Sequence, residues 1–311
     1  MSGEENEAVA ASCCESCGIA EIDDIKLLVP CNGCDLVRYC SDACRELHRP
    51  DHAGKCRKRA AELRDELLFK QPESTHMGDC PICCLPLSLD VNKSIMYTCC
   101  SKLICNGCNM ANRKREFEAR GLQFTCPFCR EPVHDTDEEQ LDKRRMKRIE
   151  ANDPVAMVQE GIKQYESGDF SRAVDYFTKA VALGDTEAHH RLAWLYQNGE
   201  GVEKDELKYI HHAEEAAIGG YPRARYNLGA HECNNNDDLE RAVKHWIISA
   251  TQGDDLSIKA LIKAFKHGFI EKDDLAAAFR AHKAAVDATK SPQRKAADEV
   301  KKFMDLTSRI S

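Results

Sequence analysis

Glu187-Ala-His-His-Arg-Leu-Ala-Trp-Leu-Tyr-Gln-Asn-Gly-Glu-Gly-Val-Glu-Lys-Asp205 places Ala188 and Leu192 one helical turn apart and ends in a glycine turn, Gly199-Glu-Gly201. The same pattern recurs on both sides of it. Ala156, Ala188, Ala224 and Ile258 share a register, with Leu192, Leu228 and Ile262 one turn later in the last three. A second helix repeats as Ala180-Val-Ala-Leu-Gly-Asp185, Ala216-Ala-Ile-Gly-Gly220, Ser249-Ala-Thr-Gln-Gly-Asp254 and Ala284-Ala-Val-Asp-Ala288, at spacings of 36, 33 and 35 residues. Turns at Gly168-Asp169, Gly199-Glu-Gly201, Asn234-Asn-Asn-Asp237 and His267-Gly268 separate the two helices. Small residues at fixed positions let the helices of a hairpin approach closely, and each hairpin buries its apolar edge only by stacking on the next. The expected fold is therefore mainly α, an α-solenoid over 152–311 with four hairpins and a closing helix, Gln293–Leu306.

These repeats resemble the Sel-like branch of the tetratricopeptide family, most closely in the second unit through its Asn198-Gly-Glu-Gly-Val202 turn. The resemblance implies a surface for protein segments. Trp194, Phe177 and Trp246 fall at repeat positions and read as core. The adjacent pairs His189-His190 and His211-His212 point about 100° apart on a helix and so are poor two-ligand metal sites.

The 311 residues carry 18 cysteines, and all but Cys233 precede residue 130. Net charge is −8, with the acidic excess shared by both halves, so no basic domain nominates nucleic acid as a partner. No run approaches the roughly 18 apolar residues of a membrane helix, and the acidic start, Met1-Ser-Gly-Glu-Glu-Asn-Glu, does not read as a signal peptide. Paired cysteines in such a chain read as metal ligands in an intracellular protein, cytoplasmic or nuclear, and Cys233 as a free thiol. Two cysteine-rich modules thus precede the solenoid, at 14–56 and 80–130. A helix over 57–71, within the linker 57–79, separates them, and a charged linker, 131–151, follows, its charge run 135–150 reading as a helix. The basic run Lys143-Arg-Arg-Met-Lys-Arg148 lies in that last segment and reads as a solvated face.

In the first block the pairs are Cys14-x-x-Cys17, Cys31-x-x-Cys34, Cys40-x-x-x-Cys44 and His52-x-x-x-Cys56. Ligands two or three residues apart can share one tetrahedral Zn²⁺, so eight ligands serve two ions. A block of this length has too little apolar bulk to fold without them. Cys14 keeps the two-residue gap to Cys17 that Cys13 breaks, and His52 is better spaced from Cys56 than His48 is. With Tyr39-Cys40-Ser41 and Pro50-Asp51-His52, the block resembles a MYND zinc finger. The resemblance implies interleaved sites, Cys14, Cys17, Cys40 and Cys44 on one ion and Cys31, Cys34, His52 and Cys56 on the other. Arg49 stands where the family usually has the tryptophan that lines a groove for proline-containing peptides.

The second block offers Cys80-Pro-Ile-Cys83, Cys99-Cys100, Cys105-Asn-Gly-Cys108 and Cys126-Pro-Phe-Cys129, again eight ligands for two ions. It resembles an all-cysteine RING finger, with Lys102 in the slot where RING fingers usually have histidine. The family's cross-bracing implies Cys80, Cys83, Cys105 and Cys108 on one ion and Cys99, Cys100, Cys126 and Cys129 on the other, leaving Cys84 over. In RING ubiquitin ligases the counterparts of Ile82 and Pro127 touch the ubiquitin-conjugating enzyme, and a cation at the place of Arg130 steadies ubiquitin. The central helix departs, offering Ala111-Asn112-Arg113 where a bulky apolar residue is usual, and reads as a solvated face to Arg120. Two functions are expected of this order of modules. The first is an adaptor that binds other proteins through its solenoid and zinc fingers, with four structural zinc ions per chain and no open coordination position. The second is a ubiquitin ligase whose solenoid selects the substrate. There is no phosphate-binding glycine loop and no nucleophile elbow.

Overall fold

The structure, a computed structural model, describes residues 14–16, 28–34, 36–121, 124–133, 137–235 and 238–308. Cys13, Cys17, residues 134–136 of the charge run and residues 236–237 of the third turn lie outside them. The chain forms two compact units, one within residues 1–70 and one within 71–311.

In the first unit, β1 (Val29–Pro30) pairs antiparallel with β2 (Arg38–Tyr39), and Cys14 bridges to Arg38. A 27-residue helix, α1 (Asp42–Leu68), follows. The Ser41 side chain caps it by accepting from the Cys44 N–H, which fixes the helix start beside a cysteine. The helix expected over 57–71 is the second half of this element, which continues through Pro50. Tyr39 and Leu28 are buried among Cys14, Cys31 and Cys34, so the small core is largely sulfur.

The second unit opens with a zinc-finger-sized block. In it β3 (Ser94–Tyr97) pairs antiparallel with β4 (Lys102–Cys105), and α2 (Asn106–Arg120) follows directly. Next come α3 (Glu138–Glu150) and four helical hairpins: α4 (Pro154–Glu166) with α5 (Phe170–Ala182), α6 (Thr186–Asn198) with α7 (Glu206–Ile218), α8 (Pro222–Asn235) with α9 (Leu239–Thr251), and α10 (Asp255–Lys266) with α11 (Lys272–Ala288). The last helix is α12 (Pro292–Ser308). No helix among the described residues is long and apolar enough to cross a membrane.

Aspartates start the repeat helices. Asp153, Asp169, Asp185, Asp205, Asp238 and Asp254 each accept a backbone N–H of the first turn, satisfying a donor the helix cannot. Ala173, Ala180, Ala188, Ala216, Ala224, Ala242 and Ala250 are buried at the contacts between helices, as the repeat pattern requires. Gly201 shows why its turn needs glycine: φ is +71°, and a Cβ there would sit 2.5 Å from the Phe170 carbonyl oxygen.

Four features differ from the sequence reading. Leu261, not Ile262, is the fully buried residue of the fourth unit, because that helix presents its i+3 position to the core. Phe177 and Trp246 are core, but Trp194 is 47% exposed. The charged helix α3 is not solvated throughout. It packs on α4, where Arg145 Nε donates to Glu160 Oε2 at 2.6 Å, and Glu160 occupies the register position that is apolar in later units. Finally, α12 does not close the solenoid on α11; it packs on α2 of the cysteine block.

Arg145 also pairs with Asp142, which is held by Lys163 at 2.6 Å, and Gln164 donates to Glu160. Removing one partner of a buried pair strands the other charge. Arg145→Ala is therefore expected to cost about 3 kcal/mol in urea unfolding of the full chain. Glu160→Gln in the Arg145→Ala background should recover part of that loss.

Candidate metal centres

Three sets of four ligating groups converge, each with its ligand atoms within 4.8 Å of one another: Cys31, Cys34, His52 and Cys56; Cys80, Cys83, Cys105 and Cys108; and Cys99, Cys100, Cys126 and Cys129. Cys14, Cys40 and Cys44 form a fourth set, whose expected completing ligand, Cys17, lies outside the described residues. The pairing along the chain is the interleaved one in both blocks.

Local structure delivers each ligand. Cys105 ends β4 and caps α2, its Sγ accepting the Cys108 N–H, so strand and helix present two sulfurs from one corner. The tight turn after Cys80 is closed by the Cys84 N–H on the Cys80 carbonyl and the Cys80 N–H on the Leu85 carbonyl. An equivalent turn follows Cys126, closed by the Arg130 N–H, and both turns carry a left-handed residue, Cys84 and Arg130. His52 projects from α1 with Nε2 3.2 Å from Cys34 Sγ. His48 instead meets the Tyr39 hydroxyl at 3.0 Å through Nδ1 and stacks on His52. Arg49 is paired with Glu46 on the surface of α1.

The distances test the metal. A tetrahedral ion with Zn–S bonds of about 2.3 Å sets its sulfurs about 3.8 Å apart. The structure gives 3.6 Å for Cys31–Cys56, 3.6 Å for Cys40–Cys44, 3.9 Å for Cys83–Cys105, 3.6 Å for Cys100–Cys126 and 3.3 Å for Cys99–Cys129. None of the described cysteines is in a disulfide. Sulfur-rich sets of four at these separations fit zinc, at about four sites per chain.

Electrostatics prepare one thiol in each complete set. Burial works against the Cys31 thiolate, but hydrogen bonds from the Gly33 backbone and neighbouring ligands outweigh it and bring the thiol to about 7. Burial likewise opposes the Cys80 thiolate, and the N–H groups of Cys105, Cys83 and Ile82 bring it to about 7. Cys126 is lowered against its burial by the Cys129 and Phe128 N–H groups. Cys56 and Cys100 go the opposite way. Burial and the neighbouring sulfurs push Cys56 to about 11, and burial with the charge on Cys126 and Cys129 pushes Cys100 to about 11. Sulfurs so close that they raise one another's pKa are ones whose thiolate forms a divalent cation stabilises together.

The polar helix α2 is not simply a solvated face. Asn112 and Glu116 are buried, Asn112 donating to the Thr125 carbonyl and Glu116 accepting from the Thr125 hydroxyl at 3.0 Å, while Arg113 lies over the Phe124 ring. These residues hold the segment that leads into Cys126. Ile82 and Arg130 are exposed and Pro127 is half-buried. Sequence reading also missed that His189 and His212 come together across α6 and α7, Nδ1 to Nδ1 at 3.0 Å; spacing along one helix cannot reveal a contact between two.

The model of the MYND finger matches residues 14–56, and that of the Sel1 repeat matches 157–185, 186–221 and 222–254. Among solved structures, a Sel1 repeat protein from Oxalobacter formigenes is 22% identical over 49% of this chain and 65% of its own, with a TM-score of 0.42. A protective antigen, c5321, present in uropathogenic Escherichia coli strains and displaying an SLR fold is 28% identical over 48% of this chain and 33% of its own, with a TM-score of 0.40. The immunity protein PA5088 from Pseudomonas aeruginosa is 17% identical over 60% of this chain and 70% of its own, with a TM-score of 0.39. The chain thus spans less than two thirds of the first two. It carries a MYND finger and Sel1 repeats, and its remaining cysteine clusters fit a RING-like zinc module.

Elemental analysis of protein purified without added metal should give about four zinc ions per chain, by this count of ligand sets. Because protons compete for the same sulfurs, zinc affinity should fall as pH is lowered from about 8 to about 5, with more than one proton taken up per ion released. A pH-independent zinc content across that range would contradict the thiolate assignment.

Proposed function

We propose that this protein is a zinc-stabilised adaptor whose Sel1 repeats grip a segment of one partner while its zinc modules engage another. MYND fingers and Sel1 repeats are protein-interaction modules. In this reading Cys14, Cys17, Cys40 and Cys44, the Cys31 set, the Cys80 set and the Cys99 set hold four structural zinc ions with no open position. The observation that carries the proposal is a pocket of about 300 Å³ between α4 and α6, lined by Ile162, Tyr165, His190, Arg191 and Trp194 over the buried Phe177 and Leu195. Trp194 is half out of the protein, tethered by Nε1 to the Tyr165 hydroxyl, which in turn donates to Glu200. A fixed tryptophan, tyrosine and arginine around an apolar floor have the composition of an interface anchor.

The test is selection of peptides from a displayed library on the full zinc-loaded chain. Trp194→Ala should weaken the selected peptides by about 30-fold or more, the cost of a central anchor, with an unchanged circular-dichroism spectrum. Equal binding by the variant, or no selected peptide, would remove this pocket as the site.

A second reading, a RING-type ubiquitin ligase, is favoured by one observation: Ile82, between two ligands, is 43% exposed, and Arg130 is exposed after the last ligand. It predicts that zinc-loaded protein builds ubiquitin chains with some member of a conjugating-enzyme panel. Ile82→Ala should abolish this without releasing zinc. Arg130→Ala should slow ubiquitin discharge while leaving enzyme binding unchanged, because a contact made only in the reactive arrangement changes rate more than affinity. An inactive wild type across the panel leaves the adaptor alone.

A further inference from the structure

Among the described side chains of the last helix, apolar burial is slight: Arg294 and Ala297 are buried, while Val300 and Phe303 face solvent. Beside its packing on α2, it is gripped by polar contacts from the first metal loop, more than 200 residues earlier. Arg294 Nη2 lies 3.2 Å from Cys83 Sγ and 3.0 Å from the Leu85 carbonyl oxygen. Nη1 donates to the Pro86 carbonyl at 2.6 Å and to the Thr289 carbonyl of its own segment at 2.8 Å. The neighbouring Gln293 donates to the Gly107 carbonyl at 3.0 Å, inside the Cys105-Asn-Gly-Cys108 corner. Gly107 is needed for this approach: a Cβ there would lie 3.0 Å from the Arg294 backbone. The guanidinium is therefore seated against the Cys80/Cys83/Cys105/Cys108 set, with only 9% of the residue exposed.

We propose that Arg294 is an outer-sphere positioning residue for this metal site and that, through it, α12 docks on the module only when the site is loaded. Four thiolates around a divalent zinc carry a net double negative charge, which a guanidinium donating to one sulfur offsets in part. The same guanidinium reads the loop after Cys83, whose two carbonyls converge on it only while Cys83 is tied to Cys105 and Cys108 across the ion. When the ion leaves, the loop is released, three of the four partners of Arg294 go with it, and a buried cation is left with its own segment's carbonyl alone. Undocking then restores its hydration. The linkage is reciprocal: whatever zinc adds to the docking of α12, docked α12 adds to the retention of zinc.

Two measurements on the full chain test this. In hydrogen exchange of wild-type protein titrated with a chelator, peptides of α12 should lose protection together with those of 80–108, while α4 to α9 remain protected. Protection of α12 that survives emptying of the 80–108 site would overturn the proposal, and this arm needs no variant. With ¹¹³Cd in place of zinc, each site gives its own resonance. Arg294→Gln, which removes the charge, should shift one all-sulfur resonance and leave the others in place, and that one ion should be released about tenfold faster, as typical of lost outer-sphere partners. Arg294→Lys, which keeps the charge without the fork, should fall between the two. Unmoved resonances and unchanged release rates in Arg294→Gln would show that α12 packs there for reasons unrelated to the metal.

Discussion

Three or four sulfurs within 4.8 Å of one another cannot all be thiolates without a cation among them, and among the described residues the requirement arises in four clusters before residue 130. It organises everything nearby. The strands are two to four residues long, and the clusters of apolar burial in both blocks are made largely of the ligands themselves. A core of that kind has no hydrophobic reserve, so folding and metal loading become one equilibrium in these blocks. In each complete set one thiol, Cys31, Cys80 or Cys126, is lowered by backbone N–H groups, those of its own turn and, for Cys80, also that of Cys105 across the site. The backbone thus helps to supply both the geometry and the charge.

The repeats solve the opposite problem. Their helices set buried alanines beside bulky residues such as Phe177, Leu192 and Trp246, so stability comes from close approach between neighbours and from the aspartates that cap most of the helices. Where the pattern breaks, chemistry appears. Glu160 takes an apolar position and needs Arg145 from α3. Trp194 takes a position on the open side of α6 and leaves an aromatic pocket.

Much of this was legible beforehand. Cysteine spacing is local, so pairs such as Cys31 and Cys34 could be read directly, and the interleaving followed from the resemblance those pairs carry. The repeat register was legible because Ala188 and Ala224 recur with a period. Periodicity says which helices exist and which residues face a neighbour in an ideal stack, and it placed Phe177 and Trp246 correctly. It could not distinguish Trp194 from a core residue, because exposure there depends on how α4 stands beside α6. Nor could it say where α12 goes. Arg294 is one arginine among many in the sequence, and its partners are carbonyls and a sulfur that no residue pattern advertises. The left-handed Cys84 and Arg130 were equally silent, since glycine is the usual signal for that conformation.

A stack of repeats ordinarily behaves as a line: its terminal units have one neighbour instead of two and come apart first. Here the line is bent into a loop. At its start Gln159 of α4 reaches Met96 of the cysteine block; midway His76 donates its N–H to the Gly220 carbonyl and stacks on Tyr221; at its end α12 grips the block through Arg294. With both extremities anchored to the same small body, neither hairpin at the ends is free to peel away alone. While the circuit stays closed the end hairpins fray less readily than those of an open stack, and releasing α12 returns the array to a line with a free end.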